Sequence, residues 1–565
     1  MLRPEQSLVE ERVLRPDEVE PETRRFLQAI ARTRSQLDSL RVAMLQGGNR
    51  DEARLLETHL MILDDREAID GTIEAIRLEH RNAEFCYRRV MNHVADTLEE
   101  SENEYFRERA ADLKAVKRRV LRSLTNPAAE MSASLTEPHL VVAPDLTPAD
   151  TAALSPEQLL GFATDHGGRT GHAAILARSR GIPAVVGLGH VTDEVETGDL
   201  VVVDGTRGIV EIEPASGMLG QYEERRAAQR RLAKRFASLR TQDAVTRDGV
   251  KIVLSANIET PEEARRAQEQ GARGVGLLRT EFFFMNRIDP PSEDEQAEAY
   301  AAAAEAVAPD AVIVRTMDLG GDKIAAYLGM EPEANPFLGL RGIRLMLQHP
   351  GLLKAQLRAI HRAGAHGNVK IMIPMVSGLE ELRIVNALRR DILSELAAEK
   401  KAHDPNVEIG IMIETPAAIW IADRLASECS FFSIGSNDLI QYALAVDRMN
   451  ERIAGLYDPF HPAGLRAIRH VAETAHAAGI WVGLCGEMAS DPVVIPLLIG
   501  LGLDELSTGT YFVPAVKSVI RETDSREARE LVEKLLVLPT GGEIGAEAKR
   551  SFAERYRDLS ELAEA

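Results

Sequence analysis

The chain has 565 residues, 45% hydrophobic and 27% charged, with 67 Lys and Arg against 88 Asp and Glu for a net charge of −21. That length exceeds the roughly 250–300 residues that one hydrophobic core sustains, so two to four domains are expected, and so acidic a balance argues against duplex nucleic acid, whose phosphates demand a basic face. No apolar run approaches the ~20 residues that span a bilayer and the opening MLRPEQSLVEERVLRP has no apolar signal core, so a cytoplasmic protein is expected.

In chain order, residues 21–127 place apolar side chains at three- and four-residue spacing in successive runs, ETRRFLQAIARTRSQLDSLRVAML, EARLLETHLMILDD and YFRERAADLKAVKRRVLRSL among them. The spacing predicts an α-helical bundle, antiparallel because its connections are short, of a kind more often used for docking than for catalysis. VEERVLRP, just before it, reads as a possible first strand of the domain that follows. The bundle would then be an insertion in a domain made of residues 1–20 and 128–217. That domain is a small α/β unit: HLVVAP, IPAVVGLG, DLVVVDGT and GIVEIE alternate with Pro/Gly turns and one helix, AAILARSR. Residues 218–247 supply a charged linker helix. From 248 to 565 eight strand candidates (KIVLSANI, GVGLLRT, AVIVRTMD, VKIMIPMV, VEIGIMIE, FFSIGSN, WVGLCGE, LDELSTG) each precede a helical pattern, which predicts a (β/α)8 TIM barrel over a doubly wound sheet.

Barrel active sites sit at the C-terminal ends of the strands. Arg279 ends the second strand, Arg315 nears the end of the third, Glu414 ends the fifth, Asn437 and Asp438 end the sixth, and Cys485 ends the seventh. Two arginines can grip carboxylate and phosphate through paired hydrogen bonds. Glu414 and Asp438 offer hard oxygens of the kind Mg2+ takes. Asn437 can hydrogen-bond an anion, and Arg448 can close over a phosphoryl group. Cys485 reads either as a small buried hydrophobe or as a proton donor to an enolate carbon. Cys86, Cys429 and Cys485 show no metal-ligand or disulfide spacing.

The sharpest local feature is Thr164-Asp165-His166-Gly167-Gly168-Arg169-Thr170-Gly171-His172, a glycine-rich loop giving way to a helix near His172 that ends at Gly181. A helix N-terminus keeps an imidazole neutral and favours the anion of its phosphorylated form. His172 therefore reads as a nucleophile with Arg169 as a partner, or else as a capping residue; His166 reads as a turn residue.

These segments resemble Enzyme I of the bacterial phosphotransferase system, a phosphoenolpyruvate–protein phosphotransferase. GGRTGHAAILARSRGIPAVVG is similar to that family's phosphohistidine motif, and VGLLRTEFFFM, VIVRTMDLGGDK, NPFLGLRGIR, IETPAA, FFSIGSNDLIQYALAVDR and LCGEMA to its barrel motifs. The resemblance implies a phosphohistidine swivel domain that carries phosphate from His172 to the carrier protein HPr or a paralogue, docked on the helical bundle, in the first step of the phosphotransferase system, which feeds sugar uptake or a regulatory relay. It implies that Arg279, Arg315, Asn437, Asp438 and Arg448 bind phosphoenolpyruvate, with Lys323 and Arg341 in support. Glu414 and Asp438 would hold Mg2+, Cys485 would protonate the enolate to pyruvate, and the barrel would form a homodimer. Two departures stand out: the family's opening glycine- and proline-containing strand is missing, and Gly171 replaces a usual serine. The dikinases and synthases that share the swivelling histidine and the barrel also need a nucleotide-binding domain, where this chain has helices.

Overall fold

In α1 (Val19–Gln46) the buried residues Phe26, Ile30 and Leu37 recur at helical spacing, as Leu113, Val116, Val120 and Leu124 do in α5 (Glu104–Thr125). The computed structural model describes residues 11–46, 50–99, 104–125, 138–144, 146, 159–167, 174, 177, 182–205, 207–285, 287, 289–320, 326–328, 333–448, 450, 452–556 and 559. Its chain divides into two compact units, Met1–Glu224 and Arg225–Ala565. Among the described residues no helix is long and apolar enough to cross a membrane.

In the first unit α1 and α5 are joined by α2 (Arg50–Leu63), α3 (Arg66–Glu79) and α4 (Ala83–Glu99). Their stripes close one core, where Phe26 and Tyr87 lie 5.4 Å apart. Asp65 caps α3 by accepting from the N–H groups of Glu67 and Ala68. Arg25 bridges Glu22 and Glu84 at 2.7 and 2.6 Å, tying α1 to α4. The segment expected to open the sheet is placed elsewhere. Val13 pairs with Arg81, Leu14 N–H donates to His80 and Asn82 N–H to Arg12, so residues 12–14 fasten to the α3–α4 turn, not to the sheet.

That sheet is parallel, in the order β1 (His139–Ala143), β2 (Leu159–Thr164), β3 (Ala184–Val185), with a separate hairpin of β4 (Val201–Asp204) and β5 (Ile209–Ile212). The central strand, LLGFAT, is not among the strands expected from the sequence. A short apolar run buried on both faces has no alternation to betray it. β2 leads into the histidine loop, where Asp165 caps the turn at Thr192. Gly167 there has φ of +115°, a conformation a side chain would resist. His172, Arg169 and Gly171 lie outside the described residues, as does most of the helix expected after them.

α6 (Ser216–Leu239) carries the chain across the division into the second unit. There β6 (Val253–Ile258), β7 (Val275–Leu278), β8 (Val312–Arg315), β9 (Val369–Ile373), β10 (Glu408–Ile413), β11 (Phe431–Ile434), β12 (Trp481–Leu484) and β13 (Glu505–Gly509) form a closed parallel barrel. Each of the eight expected strands is present. Outward side chains join the helices in one large core, and inward ones make a second core of Leu277, Ile313, Met372, Met412, Phe431 and Cys485. The N-terminal end is shut: Trp481 stacks on Phe431 at 4.5 Å, and Lys370, paired to Glu408 at 2.6 Å, lies 5.0 Å from the Trp481 ring centre. Lys517, fully buried, donates to the carbonyls of Arg240, Gln242 and Gly271 and so pins the stretch after α6 to the barrel.

Candidate active site

Side chains alternate along a strand, so a residue two positions beyond an inward one also points inward. Leu277, Ile313 and Met412 belong to the inner core. Arg279, Arg315 and Glu414 follow each at that interval, which carries the three to the C-terminal mouth. Cys485, itself in the inner core, follows β12 directly. The other end is plugged, so polar chemistry has one place to gather.

The charges at the mouth form a continuous arc. Arg315 donates to Glu281 at 2.8 Å and lies 3.4 Å from Asp318. Asp318 takes a further contact from Arg341 at 2.9 Å, and Arg341 reaches Asp438 at 3.1 Å. Arg448 stands 3.3 Å from the other Asp438 oxygen. Burial works against the charge of Arg315, yet Glu281, Asp318 and Glu414 hold its guanidinium above the ordinary value. Arg341 is held up in the same way by Asp318 and Asp438. Arg279 stands nearer solvent and pairs with Glu259 at 3.1 Å. Glu281 and Asp318 are not among the residues the sequence singles out. Both lie inside quoted motifs, RTEFFFM and VRTMDLGG, but only the fold reveals that they orient the buried guanidinium groups.

Glu414 is buried, and one of its oxygens accepts from Met375 N–H at 2.6 Å. Met375 adopts φ of +59°, a region that bulky residues seldom enter, which marks the position as constrained. Burial first, then the charges of Asp438 and Asp318, push the Glu414 carboxyl up to about 8. One oxygen of Asp438 has no hydrogen-bond partner. Buried acids that repel one another suit a hard divalent cation. The described residues hold no group of three or more such ligands placed around a metal. A cation bound through Glu414 and Asp438 would therefore complete its shell with substrate oxygens and water.

Cys485 is 4% exposed, and burial pushes its thiol up to about 11. At neutral pH it carries a proton to give. Asn437 is tied to Glu487 in both directions, its amide donating at 3.0 Å and its oxygen accepting at 2.8 Å. Arg341, expected only in support, is a central member of the arc. Lys323 lies outside the described residues. Eight buried polar side-chain atoms lack a hydrogen-bond partner among the described residues. Five of them belong to Arg315, Thr316, Ser436, Asp438 and Arg448, on or just beyond the barrel's C-terminal rim. Asp438 and Arg448 face each other as an ion pair at 3.3 Å, which leaves Arg315, Thr316 and Ser436 as the rim residues with a buried polar atom that has no such contact.

Comparison with known proteins identifies relatives along nearly the whole chain. Three family models match: the PEP-utilising enzyme PEP-binding domain over residues 233–525, its mobile domain over 135–208 and its N-terminal domain over 2–109. The phosphoenolpyruvate-protein phosphotransferase of Bacillus sp. (strain S) is 44% identical across 95% of this chain and 93% of its own length. That of Geobacillus stearothermophilus is 43% identical over the same shares, and that of Bacillus subtilis (strain 168) is 42% identical over 94% of each.

Proposed function

Because this chain belongs to the phosphoenolpyruvate-protein phosphotransferases of the PEP-utilising enzyme family, we propose that His172 is its phosphoryl acceptor and that the barrel mouth from Arg279 to Cys485 holds the phosphoenolpyruvate. The chain is a phosphotransferase acting on a protein histidine. What supports the siting most is the arc of buried arginines and acids, Arg315, Asp318, Arg341, Glu414 and Asp438, gathered at one end of the barrel.

In this reading Arg279, Arg315 and Arg448 grip the carboxylate and phosphate oxygens, and Asn437 adds an amide. Glu281, Asp318 and Arg341 keep those groups aimed, so little reorganisation is needed as charge moves. The neutral imidazole of His172 attacks phosphorus; the P–O bond to the enol oxygen breaks and its electron pair stays on that oxygen. Mg2+, held through Glu414 and Asp438, would offset negative charge on the transferring group. Cys485 then gives its proton to the methylene carbon, and the enolate becomes pyruvate.

His172 and the pocket belong to different units, so the imidazole must be delivered to the mouth for loading and removed for transfer onward. The onward acceptor is HPr or a paralogue, docked on the helical domain at 21–127. The chain pairs with a second copy through the barrel and works in the cytoplasm. The domain bounds 128–217, 218–247 and 248–565 belong to the same proposal, while residues 12–14 go with the helical domain to which they fasten. Incubation with radiolabelled phosphoenolpyruvate and Mg2+ tests its centre. An acid-labile label is expected on the native protein and none on His172→Ala. Label on both, or on neither, refutes it.

A further inference from the structure

Ser433 is the third residue of β11, on the inward side with Phe431. The hydrophobic side chains of that interior are Leu277, Ile313, Met372, Met412 and Phe431, and Ser433 is itself 2% exposed. A hydroxyl buried in such company costs stability unless it is hydrogen-bonded, and alanine would fill the same space without the oxygen. The Ser433 hydroxyl does have a partner. It donates to Cys485 Sγ at 3.4 Å. The same cysteine is held at its backbone, where its N–H donates to Ile434 at 3.1 Å and its carbonyl accepts from the Asn257 amide at 3.0 Å. Asn257 is fixed in turn by the Ser507 hydroxyl at 2.7 Å. β11 and β6 thus hold this residue directly, and at the sulfur itself the Ser433 hydroxyl donates while the thiol reaches the Ile434 carbonyl at 3.8 Å.

We propose that Ser433 is a positioning residue for the proton-transfer half of the reaction: its hydroxyl aims the sulfur of Cys485 and stabilises the thiolate left when that sulfur gives up its proton. The proposal rests on the reading of Cys485 as the acid. In that step the S–H bond breaks with its electron pair remaining on sulfur. The enolate's π pair forms the new C–H bond as its oxygen becomes the pyruvate carbonyl, and water later returns a proton to sulfur. An O–H donor favours the thiolate over the thiol, and Ser433 does draw the thiol's proton affinity down against the larger effect of burial. It touches none of the groups that grip the phosphoryl, so its effect belongs to the second half of the reaction.

The experiment uses the full-length protein with labelled phosphoenolpyruvate and Mg2+ in single turnovers, following label on His172 and pyruvate separately for the native chain, Ser433→Ala and Ser433→Thr. For Ser433→Ala, labelling and its half-saturating substrate concentration should stay within about twofold of native. Pyruvate formation should slow on the order of 10- to 100-fold, the worth of one hydrogen bond to a charged group. Ser433→Thr, which keeps the hydroxyl, should restore most of the rate. Pyruvate formation unchanged in Ser433→Ala overturns the proposal. So does an equal slowing of both halves, which would mean a merely structural role, and so does a slowed second half in Ser433→Thr matching Ser433→Ala. No label on the native protein overturns the parent reading, and this one with it.

Discussion

At Cys485 burial is the main force holding the proton on sulfur, opposed by the Ser433 hydroxyl and Arg315 and assisted by Glu414, with the thiol at about 11. Serine in its place would keep the shape and surrender almost all of the acidity. Cys485→Ser should therefore still label His172 from phosphoenolpyruvate yet form pyruvate slower by a factor on the order of 100 or more; unchanged pyruvate kinetics in a single turnover would remove the acid role. His361 illustrates a different use of burial, for stability. Its Nδ1 meets the Asp404 carbonyl at 2.8 Å and its Nε2 accepts from Arg389 at 3.1 Å, an arrangement only the neutral ring permits. Burial first, and the Arg389 charge besides, lower its proton affinity from 6.5 to about 4. The unfolded chain takes up a proton near 6.5 that the folded chain refuses until about 4. Stability from this site is then complete above that window and lost on acidification through it, up to roughly 3 kcal/mol. Urea midpoints between pH 7 and 4 should fall less steeply in His361→Gln; identical slopes would discard the explanation.

Along the strands, period-two alternation makes much of the site legible in the sequence itself. Leu277 to Arg279, Ile313 to Arg315 and Met412 to Glu414 are the same step repeated, and a strand's end is visible in sequence where an apolar run meets Arg or Glu. What alternation does not carry is partnership across the chain. Arg341 meets Asp438 over a separation of 97 residues, and Glu281 meets Arg315 over 34, so the arc of charges has no local signature. Two elements depart from the sequence pattern for kindred reasons. LLGFAT is buried with too little pattern to separate strand from helix. In VEERVLRP the backbone groups of residues 12–14 find partners in a helix turn 66 to 70 residues on, a choice made by tertiary contact. The glycine-rich loop is legible as a motif, while His172 itself lies outside the described residues.

For the molecule as a whole, two compact units with separate cores imply that unfolding is not one event. Calorimetry should resolve at least two transitions. Adding phosphoenolpyruvate with Mg2+ to His172→Ala, which binds without turning over, should raise the barrel's transition by several degrees and leave the other in place; a single transition moving as a block would contradict the division. The stack of Phe431, Trp481 and Lys370 at the foot of the barrel has a last consequence for traffic. A chamber floored in this way has one doorway. On the proposed siting, the product leaves by the route that admitted its parent. Pyruvate in excess should therefore compete with phosphoenolpyruvate for the one opening.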